Sequence, residues 1–204
     1  AGSCFPKSVV RSQVEYQGAY SAEVRAAAPG ALTRAANRAV ELDFLSANDL
    51  REAYRQASTL AQTHLSGSWS ESELMIAMAE ARTAGNIGTA MRLQGAALNL
   101  SDAADQWLEY GRLLLAMPGN DADKRAQADR AVLAAINGYL RTAAAGVRAE
   151  ALFTMAQALE RADRGRDMVP ALRLAAKLTR RQDIAAALAD AAGKYGFRIT
   201  EHQV

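Results

Sequence analysis

The chain has 204 residues, half of them hydrophobic but only 6% aromatic, and 47 of them alanine. Its 24 Lys and Arg against 22 Asp and Glu leave a net charge of +2, too balanced for a dedicated nucleic-acid binder. The one cysteine, Cys4, excludes a disulfide within the chain, and no apolar run reaches the ~20 residues of a membrane helix. Alanine is the best helix former and fills little volume, so helices that carry it can approach closely. With only four prolines to interrupt it, the sequence predicts an all-α fold.

Residues 1–30 are poorly periodic and punctuated by Pro6, Gly18, Pro29 and Gly30, which predicts an extended segment with at most one short helix. Helical periodicity then begins. A first helix is expected over 31–45 and a second over 47–66, the latter with Leu50, Ala53, Tyr54, Ala57 and Ala61 on one face. Ser66-Gly67-Ser68 breaks it. Ser70 stands three residues before Glu73, the spacing of a capping box, and opens a helix with Leu74, Ala77, Met78 and Ala81 inward. Gly85-Asn86 ends that helix, and another covers 88–99. Ser101 and Asp102 cap the next, which presents Trp107, Tyr110, Leu114 and Met117. Pro118-Gly119-Asn120-Asp121 is a clear turn. A long helix is expected over 122–145, with breaks at Gly146 and Gly165 on either side of a helix at 148–163. Pro170 is placed near the start of the following helix, where a missing N–H costs little. The last helix, 182–193, carries Ile184, Ala187, Leu188, Ala191 and Ala192 on one stripe and ends at Gly193.

Roughly nine helices joined by short connections favour antiparallel neighbours. The spacing also resembles the 34-residue tetratricopeptide repeat. Trp107-x-x-Tyr110-Gly111-x-x-Leu114 has the first-helix spacing, with Tyr and Leu exchanged, and Ala128-x-x-x-Val132 the second. Leu74 stands 33 residues before Trp107, and Leu152-x-x-Met155-Ala156-x-x-Leu159 follows the same rule, backed by Ala171-x-x-x-Ala175. The expected architecture is therefore an irregular α-solenoid of antiparallel helical hairpins, with short extended segments at both termini. Trp107 is expected to be a packing anchor between helices.

Convergent chemistry is not visible. His64 and His202 lie far apart without ligand-spaced neighbours, and Cys4 has no basic or histidine partner nearby. There is no Gly-x-Ser-x-Gly, P-loop or Gly-x-Gly-x-x-Gly; Gly85-Asn86-Ile87-Gly88 joins two helices and reads as a turn. The pairs Glu71 with Glu73 and Asp102 with Asp105 sit at helix starts, and Lys177, Arg180 and Arg181 at a helix end, where each complements the helix dipole. We expect no catalytic, cofactor-binding or metal-binding residue, and no enzyme.

The last stretch carries a family resemblance. Pro170-Ala-Leu-Arg-Leu-Ala-Ala-Lys-Leu, Arg181-Gln-Asp-Ile-Ala-Ala-Ala-Leu and Lys194-Tyr-Gly-Phe-Arg-Ile-Thr-Glu-His-Gln-Val together resemble the helical N-terminal region of bacterial alpha-2-macroglobulin family proteins. There a similar segment leads into the first of a series of β-sandwiches. Cys4-Phe5-Pro6-Lys7 is similar to the close of a PAN/apple-type domain. The resemblance implies three parts: 1–30 as an N-terminal linker or the end of a preceding domain, 31–194 as the helical domain, and 195–204 as a linker or first strand. It also implies a periplasmic or cell-envelope location and a non-catalytic interaction or spacer role within a protease inhibitor. Its partners would be neighbouring domains of the same chain, proteases or another periplasmic protein. The family's Cys-Gly-Glu-Gln thioester motif does not occur in these residues, so no capture residue carries over. The alternative is a free-standing tetratricopeptide-like adaptor for a protein or peptide.

Overall fold

The computed structural model describes residues 38, 40–60, 69–100 and 103–196. The expectations for residues 1–30, for Cys4, His64 and His202, for Ser66-Gly67-Ser68, for Ser101 and Asp102, and for the tail from Phe197 onward lie outside these residues. Eight helices lie wholly among the described residues, which contain no strand. They are α1 (Ala47–Leu60), α2 (Glu71–Thr83), α3 (Ile87–Leu100), α4 (Ala104–Ala116), α5 (Asp121–Leu140), α6 (Ala145–Arg161), α7 (Gly165–Leu178) and α8 (Gln182–Tyr195). None is long and apolar enough to cross a membrane.

Local chemistry sets the helix starts. Ser70 caps α2: its hydroxyl accepts from the Glu73 N–H and the Glu73 carboxylate accepts from the Ser70 N–H at 2.7 Å. Asn120 and Asp123 repeat the device at α5, so the 118–121 turn leads directly into a capped helix. Ser46 and Asp49 do the same at α1, where the Ser46 N–H donates to Asp49 at 3.0 Å.

Several boundaries differ from the sequence expectation. The long helix ends at Leu140, and the break lies at 141–144; Gly146 is inside the first turn of α6. Gly165 is the first residue of α7 and comes just after Asp163, which turns the chain at a φ of 60°. Pro170 therefore sits one turn deeper than expected, within α7. The last helix runs past Gly193 to Tyr195 and is closed by Gly196 at a φ of 74°, the left-handed conformation that glycine adopts without a Cβ clash. Tyr195 is consequently helical, with its ring against Gly165: a Cβ there would lie 2.0 Å from the Tyr195 Cζ. The linker or first strand expected over 195–204 therefore begins on a helical residue.

From α2 to α8 each helix packs against the next, and α4 also meets α6. The exception to chain order is α1, which packs on α5 and α3 rather than on α2. The reason is visible in α5. Its residues 134–140 are buried on every side, Asn137 and Gly138 included. A helix buried all round needs neighbours on more than two sides, and α4, α6 and α1 supply them. At the α4 contact, a Cβ on Gly138 would lie 3.0 Å from a Leu108 methyl and 3.3 Å from the Ala104 carbonyl oxygen, so glycine permits this approach.

Trp107 is an anchor of the main core, 2% exposed. Tyr110 meets it edge to face at 6.2 Å, and the Arg141 guanidinium covers its ring at 4.9 Å. A second, small cluster of Leu74, Met78, Leu93, Ala96 and Ala97 joins α2 to α3.

The α1–α5 contact is polar where it is most buried. Asn137 donates from its amide to the Ala53 carbonyl at 2.9 Å and to Gln56 at 3.3 Å, while its own oxygen accepts from Arg141 at 3.0 Å. Replacing it by alanine strands these partners. Asn137→Ala should lower the unfolding free energy by about 2 kcal/mol, the range for a buried hydrogen-bonded group whose partners lose their mate. Urea denaturation reads this; an unchanged midpoint would show that α1 docks without that side chain.

Candidate functional site

Two charged assemblies organise the surface. The first is a ladder across alternate helices. Arg82, at the end of α2, pairs with Glu109 of α4. Glu109 also lies 3.6 Å from Arg112, one turn along α4. Arg112 donates to Glu150 of α6 at 2.8 Å. The second Glu150 oxygen accepts from Arg181, which precedes α8 and also holds Asp183 at 2.6 Å. Thus α2, α4, α6 and α8 are tied in sequence along one line of charge. Lys194 of α8 and Glu160 of α6 add a second tie at 2.6 Å.

Glu150 is the hinge of this ladder. Burial works against its charge, but the hydrogen bonds from Arg181 and Arg112 outweigh that and hold its carboxyl below the ordinary glutamate value. Arg181 is pushed above the usual arginine range, chiefly by its bonds to Asp183 and then Glu150. The Arg181 guanidinium also lies 5.6 Å from the centre of the Phe153 ring.

The second assembly fastens α1. Arg164, at the start of α7, forms a two-pronged bond to Asp49, at 2.9 and 2.8 Å. Asp49 already serves as the α1 cap, so one carboxylate both starts a helix and docks it. Burial raises its pKa, but Arg164 and the Ser46 donors together lower it below the ordinary aspartate value. At the far end of α5, Glu41 accepts from Tyr139 and Arg148, and Arg38 donates to the Leu140 carbonyl at 2.6 Å. Burial pushes the Tyr139 hydroxyl up to about 12, so it stays protonated as a donor.

The sequence-predicted candidates fall into this picture separately. Glu71 and Glu73 lie in the first turn of α2 and Asp105 in that of α4. Gly85 makes a left-handed turn at a φ of 72° between α2 and α3. Lys177 and Arg180 flank the end of α7, while Arg181 leaves that group and joins the ladder. Among the described residues no three His, Cys, Asp or Glu side chains converge as metal ligands. An open cleft of about 490 Å³ lies beside Leu115, Lys124, Arg125, Arg161 and Asp163. Two of its cations are engaged: Arg125 with Asp163 at 2.6 Å and Arg161 with the Leu115 carbonyl at 2.8 Å. Sequence reasoning missed both the ladder and the Asp49–Arg164 bond. Their partners are 27, 38, 31 and 115 residues apart, so no local spacing marks them.

No family model, curated protein or solved structure matches the chain. The geometry alone makes two stability predictions. Asp49→Asn should cost about 2 kcal/mol at neutral pH, as for a half-buried pair broken on one side. Because the folded carboxyl titrates below its unfolded value of ~4, this contribution is full above ~4 and disappears as the pH falls through the folded pKa. Unfolding curves of the wild type and the variant should therefore converge in acid; a constant gap would refute the ionic origin. For the ladder, a double-mutant cycle on Arg112 and Glu150 should give a coupling of about 0.5 kcal/mol that shrinks with added salt, since both side chains are partly exposed. Zero coupling at low salt would remove Glu150 from its central place.

Proposed function

We propose that this chain is a non-catalytic helical interaction or spacer module of an exported, periplasmic or cell-envelope alpha-2-macroglobulin-type protease inhibitor of bacteria. Its architecture in this reading is an irregular, tetratricopeptide-like α-solenoid. The observation that carries the architecture is the ladder Arg82–Glu109–Arg112–Glu150–Arg181. Charges that join every second helix are what a stack of helical hairpins produces when the first helices of the pairs line one face. The macroglobulin part rests on residues 170–204, whose sequence resembles the helical region of that family. In such a protein the segment holds neighbouring domains at a set distance or receives a protease or another periplasmic protein on its helical face.

The ladder also favours a second reading. A face with alternating Arg and Glu suits a peptide of mixed charge, so a free-standing adaptor is the alternative. The two readings differ in the sequence they expect beyond residue 204 of the gene. The macroglobulin reading expects strand-rich sequence after Val204 and a Cys-Gly-Glu-Gln far downstream in the same reading frame. Sequencing the transcript across this point tests it. A stop codon directly after Val204 would overturn the macroglobulin reading and leave the adaptor.

A further inference from the structure

The two helices at the ends of the run from α2 to α8 differ on their outer sides. Each packs chiefly on one neighbour, α2 on α3 and α8 on α7. In α8 the residues opposite the buried Ile184, Leu188 and Ala191 are Gln182, Ala186, Ala189 and Gly193, exposed and without a large apolar group. In α2 the corresponding residues are Ser72, Met75, Ile76, Ala79 and Thr83. At 100° per residue they fall within about 100° of each other, along about 16 Å of helix. The inward side carries Leu74, Ala77, Met78 and Ala81, in the cluster shared with α3. All five outer residues are exposed, Ile76 by 60% and Met75 by 48%, and none can ionise. Gln106 of α4 donates from its amide to the Met75 sulfur at 3.9 Å, so the stripe borders α4. Trp69 precedes the helix and has a contact of its own, so the apolar stripe rests on Met75 and Ile76. A surface helix ordinarily turns polar residues outward and scatters its exposed apolar ones; here two large ones share one uncharged stripe.

The rim of the stripe sets the charge of what can cover it. Glu71 and Glu80 lie about 90° to either side of its middle. Both are exposed, and neither is paired among the described residues. Glu73 is exposed too, but its carboxylate is spent on the Ser70 cap. Arg82, the one base of α2, is held by Glu109. The free charge is therefore negative on both flanks. Anionic lipid headgroups and phosphate backbones would meet like charge there. A second copy of α2 would bring the same carboxylates and no free cation to answer them. The cover that fits is apolar along its middle and basic along both edges. We infer that the outer face of α2 docks a basic amphipathic helix of a partner protein, with its apolar side chains on Met75, Ile76 and Ala79 and its cations beside Glu71 and Glu80. This surface is independent of the macroglobulin reading.

A fluorescein-labelled helical peptide with leucines at i, i+4, i+7 and i+11 and lysines on both flanks tests the proposal by anisotropy on the full chain. A twin peptide carries glutamate in place of each lysine. The lysine peptide should bind at least about tenfold more tightly than its twin, and should weaken but persist as salt rises to ~0.5 M. M75S/I76S should bind it at least about tenfold more weakly, the scale of losing two apolar contacts. E71Q/E80Q should bind it about threefold more weakly and with a flatter salt dependence. The control A186S/A189S, on the outer face of α8, should bind as the wild type does. Far-UV circular dichroism checks the fold, and I76S alone serves if the double variant unfolds the chain. The proposal is overturned if the lysine peptide fails to bind the wild type, if its twin binds equally, or if M75S/I76S or E71Q/E80Q binds as the wild type does. Tighter binding by phosphatidylserine vesicles overturns it too, as does a wild-type dimer in sedimentation equilibrium that M75S/I76S dissolves.

Discussion

The last two turns of α5 are buried on every side, and the remaining described helices are arranged to make that possible. Alanine and glycine along 134–140 let α4 and α6 approach two flanks. The third flank carries Asn137, whose amide must find partners once it leaves water. The Ala53 carbonyl and Gln56 of α1 provide them. This is why α1, alone among the described helices, abandons its neighbour in sequence. Its placement then fixes Asp49 against Arg164 and so ties α1 to the start of α7. Burial of α5, docking of α1 and orientation of α7 form one chain of dependence, with a carboxylate at its end.

The charges divide the surface into regions of different use. Along α2, α4, α6 and α8, Arg and Glu neutralise each other and join alternate helices. Such exposed pairs add little stability singly, but they share Glu150 and Glu109, so ordering one pair partly orders the next. The outer face of α7 is the reverse case, because Arg166 and Lys177 have no carboxylates of their own among the described residues. The first region is internal bracing with a mixed-charge face, which the outer face of α7 lacks.

Much of the helical pattern was legible because its causes are local. The Ser70–Glu73 and Asn120–Asp123 boxes lie three residues apart and could be read directly, as could the inward faces carrying Trp107, Leu152 and Ile184. Glycine was the weaker guide. Gly146 and Gly193 stand exposed inside helices because a single glycine costs only about 1 kcal/mol there, less than burial of the helix's opposite face returns. Gly165 and Gly196 sit at helix ends, the first to admit the Tyr195 ring and the second for its left-handed φ. Only the position of that ring, far along the chain, explains the first. The α1–α5 docking and the Glu150 ladder left no local signal, since their partners lie 84, 38 and 31 residues apart. The site was therefore less legible than the fold: its parts are ordinary residues brought together by long-range packing.

The fold depends on α5 being the most deeply held element and on α1 being part of its cover. Native-state hydrogen exchange measures this directly. The amides of 134–140 should exchange only with global unfolding, and Asp49→Asn should leave them dependent on a lower-energy opening shared with α1. If the α5 amides exchange as readily as those of α8, or if α1 opens without any change in their protection, burial of α5 does not organise the fold.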